Sequence, residues 1–535
     1  MKKRDIFIVL GDLLIIFLMY YFMLPPINLG SPEFWSFLFI ISVIIFVSLL
    51  IRNNTEFILN RRFNLKDFIV YKYYILAVLA IYLIIIFINF ISAPLFNAKE
   101  YSKRIAVDDT HEFINDVKEV DFSKIPLIDK ESSQKLGDRK MGEFTSWVSQ
   151  FYVSNLYTQI NYNNDIIRVT PIEYDGLIKY FTNRDEGVKG YITVNSVNGS
   201  ANLVQLNKGM KYLPSAYFFE NLYRKLRIDY PTIIFDEASF EIDNNGNPYW
   251  IVPIVKYKGI GLKKEISGAI ILDAITGNSK KYDIEDVPSW VDHVYSANLI
   301  IEQIDNWGEY RNGFLNSIFG QKDVINTTEG YNYLVMDDDV YLYTGITSVS
   351  SDESNLGFVL VNMRTKETKY YLVPGAEEYS AMASAEGLVQ EKKYEASFPL
   401  LINLNKKPTY LLSLKDNAGL VKMYAFIDVA DYQKVVVSDA SLGIEVAVEK
   451  YLGEETIINK DELRNKTIVI KDITSAVIDG NTYYYIMADD EIYSTSIKTN
   501  KNLLPVLKAG DKIKISYNEG DISQIIKVEK EDNNE

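Results

Sequence analysis

Three long apolar runs open the chain, at residues 6–24, 34–51 and 74–95, and mixed polar and apolar patterning fills the rest of the 535 residues. Each run is long enough to cross a bilayer core of about 30 Å as a helix. Beyond residue 95 the pattern changes. Short alternating stretches rich in Tyr, Ile and Val predict strands, and polar Gly- and Asn-bearing segments between them predict turns. Helical spacing returns at 215–226, 296–310 and 377–390. At 296–310, Ile300, Ile301 and Ile304 share one face.

Flanking charge sets an expected orientation. Lys2, Lys3 and Arg4 precede the first run, and Arg52, Arg61, Arg62 and Lys66 follow the second. The loop between the first two runs carries Glu33 and no Lys or Arg. The positive-inside rule puts the N-terminus and the 52–70 loop in the cytoplasm and everything after residue 95 outside. The first run reads as retained, because Met23-Leu24-Pro25-Pro26 is not a small-residue cleavage site. Asp12 lies within this run, where its carboxylate can reach the interface or a neighbouring helix.

Two stretches, 170–285 and 337–437, read as copies of one hairpin–helix–hairpin unit. At one fixed offset Tyr174 aligns with Tyr341, Asp185-Glu186 with Asp352-Glu353, Gly190-Tyr191 with Gly357-Phe358, and Val194-Asn195 with Val361-Asn362. With gaps, Pro248-Tyr249-Trp250 aligns with Pro408-Thr409-Tyr410, and Asp273 with Asp428. The units predict an α+β fold in which a helix covers one face of an antiparallel sheet. Residues 96–169 read as a helical juxtamembrane segment, with helices near Thr110 and across 142–157, and 286–336 as a helical connector. After a linker helix in 438–465, strands at 467–477, 482–487, 491–497, 512–517 and 522–528 predict a small OB-like or SH3-like barrel over 466–530. The tail 531–535 reads as disordered.

Composition narrows the chemistry. The chain has no cysteine and two histidines, His111 and His293, far apart. Thiolate nucleophiles, disulfides and a zincin helix are thereby excluded. Up to residue 95 the chain holds 8 basic and 5 acidic side chains, and the remainder 48 and 66. Such an acidic exterior disfavours nucleic acid. Candidate sites are few. Asp337 and Asp339, about 7 Å apart on one strand face, form with Asp352 and Glu353 the candidate metal set. Calcium is the one cofactor such oxygen donors suggest. Asp243-Asn244-Asn245-Gly246-Asn247 lacks the Gly and Glu spacing of a calcium loop and reads as a hairpin turn. Asp292-His293 with Glu302 could act as an acid–base group, with a structural role the plainer reading. Trp250, Trp290 and Trp307 are the candidate ligand-binding aromatics, weighed against core packing.

The stretch GAIILDAITGNSKKYDI resembles the end of a PepSY domain, through Asp273, Ala274, Thr276 and Gly277. The second copy, Asp428-Val429-Ala430-Asp431, lacks the Thr-Gly. GDRKMGE, TSVSSDESNLGF and KDNAGLVKMYAF are similar to segments of an uncharacterised family of bacterial membrane-anchored proteins. The PepSY likeness implies an exported module, of a kind that in some cases accompanies peptidases as inhibitor or chaperone. The expectation is a non-enzymatic binding, scaffolding or regulatory protein of the bacterial envelope. Its expected partners are the bilayer and an envelope protein, a peptide or cell-wall glycan. A glycan hydrolase using an Asp/Glu pair and an accessory subunit of a membrane complex remain open alternatives.

Overall fold

A computed structural model describes residues 3–53, 71–336, 338–348, 354–453, 464–478, 481–489, 491–518 and 523–530. Three apolar helices come first: α1 (Lys3–Met23), α2 (Pro32–Asn53) and α3 (Lys72–Ser92). All three are long and apolar enough to span a membrane, and almost none of their residues is buried inside the protein. Polar side chains join them. The Ser48 hydroxyl donates to Asp12 at 2.6 Å, and Tyr74 and Tyr82 on α3 donate to the Ser42 and Trp35 carbonyls on α2. Asp12 thus meets a neighbouring helix, one of the two expected outcomes.

The rest of the chain is mixed α and β. Four sheets follow in sequence with one strand order. In each, two short strands share an edge beside a long strand, which pairs with a second long strand that in turn pairs with a last one. The first sheet has Phe151–Val153 and Thr158–Tyr162, then Asp165–Tyr174, Val188–Asn195 and Ala201–Met210. The second has Ile234–Phe235 and Ser239–Ile242, then Pro248–Tyr257, Lys264–Asp273 and Ser279–Asp283. The third has Ile325–Thr327 and Asn332–Met336, then Asp339–Ser348, Ser354–Asn362 and Thr368–Tyr371, and it alone adds Gly375–Ala376 beside the second long strand and Val107–Asp108, outside the shared order and parallel to Thr368–Tyr371. The fourth has Glu395–Ala396 and Leu400–Leu404, then Lys407–Lys415, Val421–Asp428 and Val435–Asp439. All pairings within the shared order are antiparallel.

Three local devices recur. The second long strand ends on Asn195, Asp273, Asn362 or Asp428. Each of these side chains accepts the backbone N–H groups two and three residues ahead, fixing the turn into the last strand. Five residues before the first three stand Gly190, Gly268 and Gly357. A Cβ there would press on the carbonyl oxygen of Val204, Tyr282 or Tyr371 in the neighbouring strand. In each broken edge strand one residue at the break, Ser154, Asp236, Thr328 or Ser397, gives its N–H to the adjacent long strand. The acceptors are the carbonyls of Pro171, Pro253, Gly345 and Ser413.

Alternation along the strands stacks the sheets. Trp250, Val252 and Ile254 face one core shared with the first sheet, while Ile251 and Val255 face another, shared with the third. Likewise Tyr341, Tyr343, Phe358 and Leu360 point toward the fourth sheet, and Val340, Leu342, Val359 and Val361 back toward the second. Helix Lys130–Gly142 covers the first sheet, and Ala297–Tyr310 fills the gap between second and third.

Several expectations shift. The predicted helical segment 96–169 contains three strands of the first sheet, and its main helix lies at Lys130–Gly142 rather than 142–157. The connector 286–336 contributes the strands Ile325–Thr327 and Asn332–Met336. The Tyr174–Tyr341 alignment places unlike positions together: Tyr341 pairs with Asn362, whereas Asn195 pairs with Ile167. The extra helix Leu177–Asn183 in the first sheet's long connection displaces that register. The last sheet is a six-stranded path from Arg464–Val469 through Lys512–Asn518, Ser523–Lys530, Glu491–Ser496 and Asn481–Ala488 to Asp472–Ile478. Its two end strands are unpaired with each other among the described residues, so the sheet is open where a closed barrel was expected. Residues 531–535 lie outside the described residues.

Candidate functional site: a cleft at four strand breaks

The broken edge strands of all four sheets converge. Leu156 and Tyr157, Glu237 and Ala238, Tyr331, and Phe398 come from the four breaks, and all line one cleft of about 470 Å³. Irregular backbone is thus gathered at one place while the regular strands support it from outside.

The floor of the cleft is Arg168. It sits between Ile167 and Val169 on a strand buried almost end to end, and it is 5 % exposed. Gln159 is its direct partner across the sheet, so both side chains share a face. Arg168 Nε reaches the Ile128 carbonyl at 3.4 Å. No carboxylate lies within ion-pair distance of it among the described residues. Burial pushes its pKa down to about 10, against the opposing influence of Asp129 and Tyr333. It therefore stays charged at neutral pH. Asp129, the acid of the wall whose charge acts on Arg168, is spent elsewhere: it caps helix Lys130–Gly142 through the Ser132 N–H and accepts from Lys415 at 2.7 Å.

His293 forms another wall. Its Nε2–H donates to the Gln159 carbonyl at 2.7 Å, and its ring lies edge-on to Tyr333. Burial depresses its pKa to about 4, so the ring is neutral in ordinary buffers. Behind it, Glu241 is fully buried and accepts the backbone N–H groups of Asp292 and His293. Burial raises Glu241 to about 7, and burial together with Glu241 raises Asp292 as well. Asp292 in turn accepts the Asn161 N–H at 2.8 Å, tying the connector to the first sheet. The expected partner Glu302 is elsewhere, on helix Ala297–Tyr310, paired with the buried Arg104. Glu241 takes its place beside Asp292-His293.

The other sequence candidates do not meet here. Trp250 is fully buried and donates to the Tyr212 carbonyl at 2.8 Å. Trp290 packs on Tyr249, and Trp307 on Tyr370 beneath the Arg311 guanidinium. None of the three lines the cleft. Asp337, Asp352 and Glu353 lie outside the described residues. Asp339 is held by Arg364, whose guanidinium donates to both carboxylate oxygens at 2.6 and 2.7 Å. Among the described residues no group of three acidic or histidine side chains is placed to hold a metal ion. Asp243 closes a hairpin turn, accepting from the backbone of Asn245 and Asn247. Arg168 was passed over at the sequence level. Its signal was a lone cation inside the apolar run Asp165–Tyr174.

A second cleft of about 430 Å³ lies between Asp116–Asp121, Leu334–Met336 and Leu401–Asn403, walled by acids and lysines together. Compared with known proteins, the chain matches no family model and no curated relative.

Proposed function

We propose that the protein is a membrane-anchored binding or regulatory protein of the bacterial envelope, non-enzymatic, with everything after residue 95 outside the cytoplasm. The observation that carries this reading is the convergence of four strand breaks on one cleft in a chain whose apolar helices dock on the same sheets. In this reading the four like-ordered sheets are PepSY-like units, twice the number of copies expected, and the C-terminal sheet is a small OB- or SH3-like module. The Asp273-Ala274-x-Thr276-Gly277 turn is the PepSY signature, and Asn195, Asn362 and Asp428 are its counterparts.

The anchor supports the reading because it is fastened rather than tethered. Arg227 donates to the Leu24 carbonyl, Ile27 N–H to Pro231, Asn28 to Thr232, and Gly261 N–H to Gly30. Asn89 on α3 both donates to and accepts from the backbone of Ile260. These contacts of the α1–α2 loop and the end of α3 with the sheets support a topology in which both lie on the side of the sheets, the arrangement that three crossings would give. Partners at the membrane surface gain effective concentration from this placement. The hydrolase alternative has less support. The buried acids Glu241 and Asp292 are occupied by backbone N–H groups, and neither lines the cleft.

The absence of cysteine makes the test direct. In the variants Asn198→Cys and Asn60→Cys, a membrane-impermeant maleimide should label the first on intact cells and the second only after lysis. The reverse pattern would overturn the reading.

A further inference from the structure

The cleft floor defines a chemical demand that the chain itself leaves unmet. Arg168 offers guanidinium N–H donors with no anionic partner among the described residues. Its cross-strand neighbour Gln159, 1 % exposed, has a side-chain oxygen with no donor. An unpaired buried cation and an unpaired buried acceptor are both costly, and they stand side by side. A ligand that satisfies both brings an anionic oxygen pair together with an N–H.

We infer that the cleft binds the C-terminal end of a peptide, with the terminal carboxylate on Arg168 and the adjoining amide N–H toward Gln159. This deepens the binding role proposed above and rests on it for its biological setting. A planar carboxylate matches the guanidinium fork in two parallel hydrogen bonds. A phosphate fits the site less well. It supplies no N–H for Gln159, and its second negative charge would face Glu131 and Glu237 on the cleft walls. Lys130 also faces the cleft, its pKa lowered by burial and by the charge of Arg168, with Glu237 opposing. The positive contribution to the floor is thus one fixed cation with a second beside it, balanced by acids at the walls. Tyr331, Tyr333 and Phe398 add the aromatic surface against which a peptide backbone packs. The volume, about 470 Å³, lies within the range of pockets for small ligands and accommodates a few residues rather than a folded chain.

The test uses the full chain in lipid nanodiscs and isothermal titration calorimetry with trialanine, trialanine amide and inorganic phosphate. Trialanine should bind, and its amide roughly tenfold more weakly or worse, the loss of one charge-assisted contact. Phosphate at the same concentration should leave trialanine binding unchanged. Arg168→Met should abolish the preference for the free acid. Gln159→Leu, which leaves the cation in place, should weaken both peptides to a similar degree. Because the acid-against-amide comparison is made on the native chain, it stands even where Arg168→Met does not fold. Equal binding of acid and amide, displacement by phosphate, or no trialanine binding at millimolar concentration would each overturn the inference. Topology labelling is independent of these results, so failure of the ligand class is distinguishable from failure of the envelope reading.

Discussion

At the scale of single residues, buried polar side chains that point at one another decide what this protein can do. His293 is the clearest case for a pH effect. It is neutral because burial lowers its pKa from 6.5 to about 4. A base with a depressed folded-state pKa contributes stability that is present above its unfolded value and is lost as pH falls from 6.5 through 4. Glu241 acts in the opposite sense. Its folded-state pKa is raised from 4.5 to about 7, so its contribution is full below 4.5 and is lost as pH rises through 7. Between 4.5 and 6.5 the two oppose each other, and the wild-type profile alone cannot separate them. His293→Gln removes only the first, and its amide N–H can still reach the Gln159 carbonyl. The variant should lose less stability than the wild type on going from pH 6.5 to 4. The gap, read from thermal melts, should be on the order of 2 kcal/mol, given that the ring borders the open cleft. Parallel profiles for the two proteins would refute the assignment. Residue-level legibility was uneven for the same reason. The Asp243 turn was readable because its partners are its own neighbours. The Arg168–Gln159 pair requires a strand register, and Glu241 beside Asp292-His293 requires 51 residues of chain to fold back.

At the scale of elements, the sheets show what a local pattern can and cannot reveal. The strand ends at Asn195, Asp273, Asn362 and Asp428 were visible as aligned polar positions, since an Asx turn is written in consecutive residues. That all four occupy one place was hidden, because the first long strand of each unit lies at a different distance from its turn. Helix Lys130–Gly142 escaped for another reason. Its buried face is Ser132, Ser133, Gly137 and Met141, small residues that leave no apolar stripe. The readable clue was Asp129 as an N-cap, three residues before Ser132. The recurring glycine gives the sharpest test at this scale. Gly268→Ala would drive a methyl group into the Tyr282 carbonyl, in a hairpin with neighbours on both faces. It should destabilise the protein by about 2–4 kcal/mol, through a backbone shift that the packed second sheet resists. The equivalent place in the fourth sheet holds Met423, which is 7 % exposed. Met423→Gly should therefore be destabilising too, through lost packing rather than a relieved clash. Urea titration of both variants checks the pair, and neutral behaviour of Gly268→Ala would mean that the close approach is not a constraint.

At the scale of the whole molecule, the three membrane-length apolar helices were legible in the sequence alone, but how the sheets sit against them required the fold. The docking contacts fall on the second sheet and its preceding helix, through Arg227, Pro231, Thr232 and Ile260. This brings an exposed apolar group on the first unit close to the end of α1. The Arg224 guanidinium lies 4.0 Å from the ring centre of Tyr21, and donates to the Phe218 carbonyl at 2.6 Å. Around it Ile178, Phe181 and Phe219 are 75 %, 50 % and 67 % exposed, with the Phe181 ring packed on Phe218. Exposed apolar clusters of this kind are unusual on a face that meets only water. Next to a helix long and apolar enough to span a membrane, with Arg184 and Arg224 alongside, they match the interfacial layer of a bilayer, apolar below and phosphate-bearing above. The expectation is that this rim is immersed in the leaflet nearest the sheets, so that the stack leans on the membrane and the cleft is held at a fixed height over it. A bimane fluorophore on Phe219→Cys in nanodiscs should be quenched strongly by brominated lipids, and one on Lys434→Cys, at the exposed turn of the fourth sheet, weakly. Replacing Ile178 and Phe181 by aspartate should reduce the quenching at position 219 by lifting the rim away, while the hydrogen bonds of Asn89 and Arg227 keep the sheets on the anchor. Equal quenching at both positions, or none at 219, would show that the rim faces water and that the hydrogen-bonded contacts alone set the height of the cleft.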